Sequence, residues 1–173
     1  MEKQSIAAIL SVTEIFDNLT QNQLEMVAAI CEPATYNKGH VLLRENDTTD
    51  ELYVIARGGV EIKMNPALVG KEDQQEMQPL VLTELRQGQV VGEVALVDQG
   101  IRSATAIVSQ DNTYILRIPR KQLMLLCDTY PELGYKLMKN LAADLAFKIR
   151  NTDLTVRQYQ LLLSKSKKDT EES

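Results

Sequence analysis

The chain has few of the residues from which catalytic and metal sites are usually built. Its 173 residues include one histidine, His40, and two cysteines. A metal-dependent enzyme on a small β-roll needs a cluster of imidazoles and a carboxylate, which one histidine cannot supply. No nucleophile stands beside a base at a spacing typical of covalent catalysis. The sequence therefore predicts a protein that is not an enzyme and holds no metal or cofactor, with His40 in a surface turn.

Long apolar runs and excess positive charge are also absent. No apolar run approaches the ~20 residues that a membrane span needs, and residues 1–4 lack the apolar core of a signal peptide. The net charge is −5, whereas a general nucleic-acid surface should be basic. Cys31 and Cys127 lie in apolar helical contexts, which is typical of buried free thiols in a cytosolic protein. We expect a cytoplasmic protein that contacts neither membrane nor nucleic acid directly.

The first 33 residues are predicted to be helical. Apolar residues at helical spacing predict one helix from Ile6 to Phe16. Thr20, followed three residues later by Gln23, has the pattern of a capping box that opens a second helix. Pro33 should close that helix, so residues 1–33 form an N-terminal helical segment.

Between residues 34 and 118 the apolar period shortens. Short apolar runs alternate with turn residues every eight to twelve positions, which predicts an all-β sandwich or a barrel-like roll. The segment from Asn65 to Gln78 contains a proline, a glycine and several charged residues, and predicts a flexible hairpin loop. The predicted strands are Val41–Arg44, Leu52–Arg57, Val60–Met64, Leu80–Leu85, Val90–Val91, Ser103–Val108 and Thr113–Ile118.

Helices return in residues 119–164. A run from Arg120 to Cys127 follows Pro119, and Pro131 stands at the first turn of a longer helix, where its missing N–H costs nothing. No further proline occurs before Ser164, so this last helix should be long. Residues 165–173 are polar and predict a disordered tail.

The long helix carries an apolar seam close to a heptad repeat. We expect its first half to pack on its own domain. From Ile149 onward the helix should run past the domain body and bury the seam against a partner helix, which predicts a homodimer. The seam consists of Met138, Leu141, Leu145, Ile149, Thr152, Val156, Tyr159 and Leu163.

Residues 92–106 combine a glycine, a carboxylate and an arginine around a short apolar turn. Gly92 allows the backbone to approach a ligand closely, and a helical turn from Glu93 would point free N–H groups at an oxyanion. Arg102 would add a fork of donors for a phosphate, while Glu93 is better placed to accept from a hydroxyl such as a ribose hydroxyl. The pattern favours an anion site; the alternative is a surface turn in which Glu93 and Arg102 pair in solvent.

This stretch resembles the phosphate-binding cassette of the cyclic nucleotide-binding domain family. It departs at Gly100-Ile101, where many members carry a proline. The wider resemblance covers about residues 12–150, and Asn46 replaces a family glycine in a turn that needs a left-handed conformation. The matching cassette residues are Gly92, Glu93, Ala95, Leu96, Arg102, Ser103, Ala104 and Thr105.

The resemblance implies a fold, a ligand and a set of contacts. The implied fold is α+β, mainly β: a double-stranded β-helix, or jelly-roll-like β-roll, flanked by N-terminal helices and a long C-terminal helix. The implied ligand is a 3′,5′-cyclic nucleotide, cAMP or cGMP, whose binding is signalled through the C-terminal helix to an unknown effector. Arg102 would bind the cyclic phosphate and Glu93 the ribose hydroxyl. The backbone N–H groups that complete the phosphate site would belong to Ala95, Ser103 and Ala104.

The base pocket is the less defined part of the implied site. The positions nearest to the family's purine-lining residues are Ile62, Leu82, Leu85, Val91 and Lys148. Lys148 stands where one family member has an adenine-contacting threonine, so the resemblance leaves the base open.

Two other functions remain as alternatives. A ligand-free structural or dimerisation module could share the fold, since fold alone does not imply binding; retention of both Glu93 and Arg102 disfavours it. A DNA-binding regulator needs several tens of residues for a helix-turn-helix. Only nine residues follow Ser164, so it would have to lack its output domain.

Overall fold

The computed structural model describes residues 2–64, 80–98 and 100–171. The predicted loop from Asn65 to Gln78 lies outside the described residues. The helices are α1 (Glu2–Leu10), α2 (Gln21–Ile30), α3 (Glu93–Asp98), α4 (Arg120–Thr129) and α5 (Pro131–Glu171), with a 3-10 turn at Glu14–Phe16. The strands are β1 (Glu32–Tyr36), β2 (Val41–Leu43), β3 (Leu52–Arg57), β4 (Gly59–Met64), β5 (Leu80–Arg86), β6 (Val90–Val91), β7 (Thr105–Val108) and β8 (Thr113–Ile118).

The strands form two antiparallel four-stranded sheets, in the orders β1-β8-β3-β6 and β2-β7-β4-β5. Strand β3 lies between two apolar clusters and contributes to both. Leu52 and Val54 pack into the cluster formed with the helices, whereas Tyr53 and Ile55 pack into the cluster between the sheets. Successive side chains of a strand point to opposite faces, so a strand covered on both sides is apolar throughout. The predicted β-roll with flanking helices is confirmed.

The helices pack mainly against the sheet that contains β3. Helices α1, α2 and α4 contribute buried side chains to a single cluster with β3 and β8. The first half of α5 joins the same cluster through Leu133, Leu137 and Leu141, which are buried. This part of α5 therefore packs on its own domain, as predicted.

The N-terminal helix is shorter than predicted. Helix α1 ends at Leu10, and the chain resumes as a 3-10 turn, so the prediction of one helix from Ile6 to Phe16 is wrong. The hydroxyls of Ser11 and Thr13 donate back to the carbonyls three and four residues earlier. Such side-chain bonds compete with regular helix geometry.

The second helix has the predicted start but an earlier end. The Thr20 hydroxyl accepts from the Gln23 N–H at 3.3 Å, and the Gln23 side chain accepts from the Thr20 N–H at 2.9 Å, which confirms the capping box. Helix α2 ends at Ile30, and Pro33, predicted to close it, lies in β1 instead. Strand β1 is at a sheet edge, where proline is tolerated because one side of the strand needs no partner.

The last helix is longer than predicted. It continues past Ser164 to Glu171, although residues 165–173 were expected to be disordered. No proline or glycine interrupts this stretch, and adding residues to an existing helix avoids the unfavourable nucleation step. Residues 172 and 173 lie outside the described residues.

Candidate functional site

The predicted cassette connects the two sheets. Strand β6 ends at the edge of one sheet, Gly92 and α3 follow, and β7 belongs to the other sheet. Gly92 has φ of 92°, and a Cβ there would lie 2.7 Å from both the Arg102 Nη1 and the Glu51 carbonyl oxygen. The position therefore needs glycine for its conformation and for space. The Nε–H of Arg120 donates to the Leu96 carbonyl at 2.9 Å and ties α3 to the start of α4.

Arg102 is buried, with 3% of its surface exposed. Its Nε donates to the Thr49 hydroxyl at 3.0 Å, its Nη1 to the Gly92 carbonyl at 3.2 Å and its Nη2 to the Glu51 carbonyl at 2.8 Å. These backbone and side-chain acceptors enclose the guanidinium, so it is shielded from solvent even without a ligand. Burial lowers the pKa of Arg102, which the neighbouring Tyr53 and Glu51 partly oppose. A guanidinium has five N–H donors, so one on each terminal nitrogen remains for an anion.

The backbone around Arg102 is also fixed. Its N–H donates to the Asp47 carbonyl at 2.8 Å, and its carbonyl accepts from the Asn46 N–H at 2.9 Å. Asn46 has φ of 70°, so it adopts the left-handed conformation expected of a glycine substitute. Sequence reasoning missed Thr49 and Glu51, because contacts across about fifty residues leave no local pattern.

Glu93 pairs with the long helix and not with Arg102. Glu93 is buried, and its Oε1 accepts from Lys148 Nζ at 2.8 Å. Lys148 Nζ also lies 3.0 Å from Asp144 Oδ2, one turn earlier on α5. Burial acts to lower the pKa of Lys148, but Glu93 and Asp144 outweigh it and raise that pKa. The alternative of a solvent-exposed Glu93–Arg102 pair is therefore wrong.

The predicted site residues border one cleft of about 820 Å³ between the β-roll and α5. Its volume lies within the range of small-molecule sites. The cleft brings together Gly92, Glu93, Ala95, Arg102, Ser103, Ala104, Ile62, Leu82, Leu85, Val91 and Lys148. Sequence reasoning missed much of the wall that α5 contributes, including Phe147, Asn151 and Thr155.

The second half of α5 differs from the prediction. From Ile149 to Leu161 all described side chains are exposed, as expected for a helix that leaves the core. The difference is that part of this helix still lies beside the cleft. Thr152, Val156 and Tyr159, which were assigned to the dimer seam, also border the cleft. One face of the helix is therefore shared between the cleft and the seam.

The remaining candidate residues have ordinary surroundings. His40 is exposed and stacks on Tyr36 with ring centroids 4.2 Å apart. Cys127 is buried and Cys31 half-buried, both as free thiols, and burial raises the pKa of Cys31 to about 12. Within residues 2–64, 80–98 and 100–171, no three histidine, cysteine or acidic side chains are grouped to hold a metal ion. No helix in the same ranges combines the length and the apolar character that crossing a membrane requires.

Two curated relatives of this chain are named for a cyclic nucleotide. The cGMP-dependent protein kinase egl-4 of Caenorhabditis briggsae is 30% identical over 122 residues, which cover 70% of this chain and 15% of the kinase. The cyclic AMP receptor protein of Thermus thermophilus is 29% identical over 140 residues, which cover 81% of this chain and 59% of that protein. This chain thus spans only part of the length of these curated relatives.

Solved structures agree at the level of fold. A cyclic nucleotide-binding domain from Methylobacillus flagellatus superimposes with a TM-score of 0.72 at 21% identity, covering 86% of this chain and 79% of the other. The family model for the cyclic nucleotide-binding domain matches residues 33–130, more than half of the chain, and includes the whole cassette. With this match, the antiparallel β-roll and the glycine-to-arginine cassette between its sheets, the chain belongs to the cyclic nucleotide-binding domain family.

Proposed function

We propose that this chain is a regulatory sensor domain that binds a 3′,5′-cyclic nucleoside monophosphate in the cleft between the β-roll and α5, and that the domain itself is not catalytic. The observation that carries the proposal is Arg102, a buried cation at the cleft with two N–H donors left over. A buried charge is costly unless it is compensated. Its hydrogen-bond acceptors are neutral oxygens, and the Glu51 carboxylate lies 3.9 Å from Nη2, beyond hydrogen-bond distance. An anionic ligand would supply a closer counter-charge.

The cassette offers a separate partner for each polar part of such a ligand. The cyclic phosphate would accept from Arg102 and from the backbone N–H groups of Ala95, Ser103 and Ala104, and the Ser103 hydroxyl could add a donor. N–H groups in the first turn of a helix have no acceptor within that helix, which supports this role for Ala95. Glu93 would accept from the ribose hydroxyl, because a carboxylate facing the phosphate would be repelled.

The base would lie between apolar strand residues and α5. The strand side is formed by Ile62, Leu82, Leu85 and Val91, and the helix side includes Lys148. A lysine ammonium donates hydrogen bonds but cannot accept them, and both adenine and guanine carry acceptors. The names of the relatives point to cGMP in one case and to cAMP in the other. We therefore propose cAMP or cGMP without choosing between them.

Calorimetry of nucleotide-free protein tests this proposal. The ligands are the 3′,5′-cyclic forms of AMP, GMP and CMP, and the matched controls are the corresponding 5′-monophosphates, which lack the cyclic ester. We expect one saturable site per chain for cAMP or cGMP. Arg102→Ala should lose about 2–5 kcal/mol of binding free energy, the range for truncating one member of a buried charged contact. Because this variant is also expected to be less stable, the titration is made where circular dichroism shows that it is folded.

The second candidate function is a ligand-free module on the same fold. Lys148 favours it, because it already occupies the Glu93 oxygen that the ribose would need. Absence of heat with every cyclic nucleotide, from protein shown to be folded, would favour this candidate and contradict the sensor.

We also propose that the chain forms a homodimer through α5 and passes its signal to an effector protein in the cytoplasm. Ile149, Val156 and Tyr159 are 63%, 49% and 60% exposed, and their sequence spacing is that of a coiled-coil seam. Since Val156 and Tyr159 also border the cleft, a ligand there would touch the helix that forms the dimer. The two free thiols are compatible with a reducing compartment.

A further inference from the structure

The ion pair between α5 and the cassette uses a group that the proposed ligand needs. Glu93 Oε1 accepts from Lys148 Nζ at 2.8 Å, and the Glu93 side chain is 10% exposed. One carboxylate oxygen is thus occupied, and the small exposed area of the side chain limits the directions from which a further partner can approach. A ribose hydroxyl that approached it would meet the lysine ammonium already in place.

Lys148 has a second partner that would hold it nearby after displacement. Asp144 Oδ2 lies 3.0 Å from Nζ, on the same helix and one turn earlier. This acidic side chain is also largely enclosed, with 13% exposed. Losing the contact with Glu93 would therefore leave the ammonium paired with Asp144 and not stranded in an apolar cleft.

The same ion pair connects α5 to the β-roll beyond the part of the helix that is packed. Buried contacts of α5 extend as far as Leu141, and Leu145 is partly buried. From Ile149 to Leu161 all described side chains are exposed. Among the described residues of α5, Lys148 is the last for which a side-chain contact with the cassette is recorded.

We propose that Lys148 is an internal competitor for the ribose site, and that a cyclic nucleotide signals by displacing its ammonium from Glu93, which exchanges the ion pair between α5 and the cassette for contacts with the ligand. This inference rests on the proposed function, which assigns the ribose hydroxyl to Glu93. It adds how binding is transmitted. Exchanging one hydrogen bond at Glu93 removes the ion pair that connects the cassette to α5, the helix that carries the dimer seam. The Glu93–Lys148 ion pair thus weakens nucleotide binding, and its loss transmits the binding to α5.

The test compares wild type with Lys148→Met, which keeps a long side chain on α5 and removes its charge. Lys139→Met is the matched control, since Lys139 is an exposed lysine on the same helix. Each protein is titrated with cAMP, cGMP and their 2′-deoxy forms. The deoxy ligands have no hydroxyl for Glu93, so they have no need to displace Lys148.

We expect Lys148→Met to bind the better ribonucleotide about fivefold more tightly, the factor that corresponds to an ion pair at the upper end of the exposed range. Its affinity for the 2′-deoxy ligand should not rise, because that ligand shares the base contact of Lys148 but has no hydroxyl for Glu93, and Lys139→Met should match wild type with both. Without any ligand, backbone amides of residues 144–155 should exchange with solvent faster in Lys148→Met than in wild type, because the tether is lost.

The outcomes separate this inference from the function on which it rests. Equal effects on ribo and deoxy ligands, weaker ribonucleotide binding, or unchanged amide exchange would overturn the competitor role while leaving the sensor in place. Failure of wild type and Lys148→Met alike to bind any cyclic nucleotide would contradict the proposed function, and the inference with it. Binding by Lys148→Met alone would support the competitor role of Lys148 but contradict the proposed sensor, because wild type would then bind no cyclic nucleotide.

Discussion

Arg102 is a structural cross-link as well as the proposed phosphate ligand. Its guanidinium connects the segment before β3, through Thr49 and Glu51, to Gly92 at the end of β6. Its backbone also pairs with the turn at Asn46 and Asp47. Arg102 thus fixes the segment from Asn46 to Glu51 against Gly92, which lies some forty residues later in the sequence. An affinity change in an Arg102 variant is therefore interpretable only beside a measurement of its stability.

Replacing Arg102 should destabilise the fold even without ligand. Arg102→Ala leaves two enclosed carbonyl oxygens without their donors, and we expect a loss of about 3 kcal/mol, since each unsatisfied buried acceptor costs about 1–3 kcal/mol. Arg102→Lys keeps the positive charge but not the planar fork of donors, so its free energy of unfolding should lie between those of Arg102→Ala and wild type. Urea unfolding followed by circular dichroism measures this. An unchanged free energy of unfolding for Arg102→Ala would mean that the guanidinium contacts contribute nothing to the fold.

Gly92 allows backbone strain and steric overlap to be separated. Gly92→Ala must adopt φ of 92° and place its Cβ 2.7 Å from Arg102 Nη1, whereas Gly39→Ala adopts φ of 90° with nothing within 4 Å of its Cβ. Both should lose about 1–3 kcal/mol of stability from the left-handed backbone. Gly92→Ala should lose a further amount, because its Cβ overlaps Arg102 and Glu51. Thermal unfolding of the two variants gives the comparison. Equal losses would show that Arg102 and Glu51 move aside freely.

Helix α5 has different surroundings along its length. Its first half is core, its middle is tied to the cassette by Lys148, and its second half is exposed beside the cleft. The exposed part carries two apolar rows. One is the predicted seam; the other, which sequence reasoning missed, consists of Phe147, Leu154 and Leu161. Ile149 and Leu154 do not border the cleft, so each row can be altered without changing the proposed ligand site.

The dimer proposal predicts different effects for the two rows. Ile149→Glu should give a monomer, because burying such a side chain is worth about 1.5–3 kcal/mol and the interface would instead hold an unpaired charge. Leu154→Glu, at a position 57% exposed on the other row, should remain dimeric. Light scattering at tens of micromolar protein reads out both. A monomeric wild type would refute the dimer, and a monomer only with Leu154→Glu would move the interface to the second row.

At the scale of the whole molecule, local patterns predicted the strands better than the contacts between them. The bounds of β3, β6 and β8 match the prediction, since apolar residues and turn residues mark both ends of these strands. Strand β1 was missed because Pro33 reads as a helix stop unless its place at a sheet edge is known. The Glu93–Lys148 pair joins residues 55 positions apart, and only the packing of α5 over the cleft brings them together.

The most direct test of the account is to locate the ligand by NMR. Wild-type protein labelled with ¹⁵N is titrated with cAMP and with cGMP, and the backbone amide and Arg102 Nε–H signals are followed. We expect saturable shifts at Glu93–Ala95, Ser103, Ala104 and the Arg102 side chain, with little change at the distant turn around Gly39. Absence of saturable shifts with either nucleotide at millimolar concentration, or shifts confined to residues outside the cleft, would contradict the claim that this cassette binds a cyclic nucleotide.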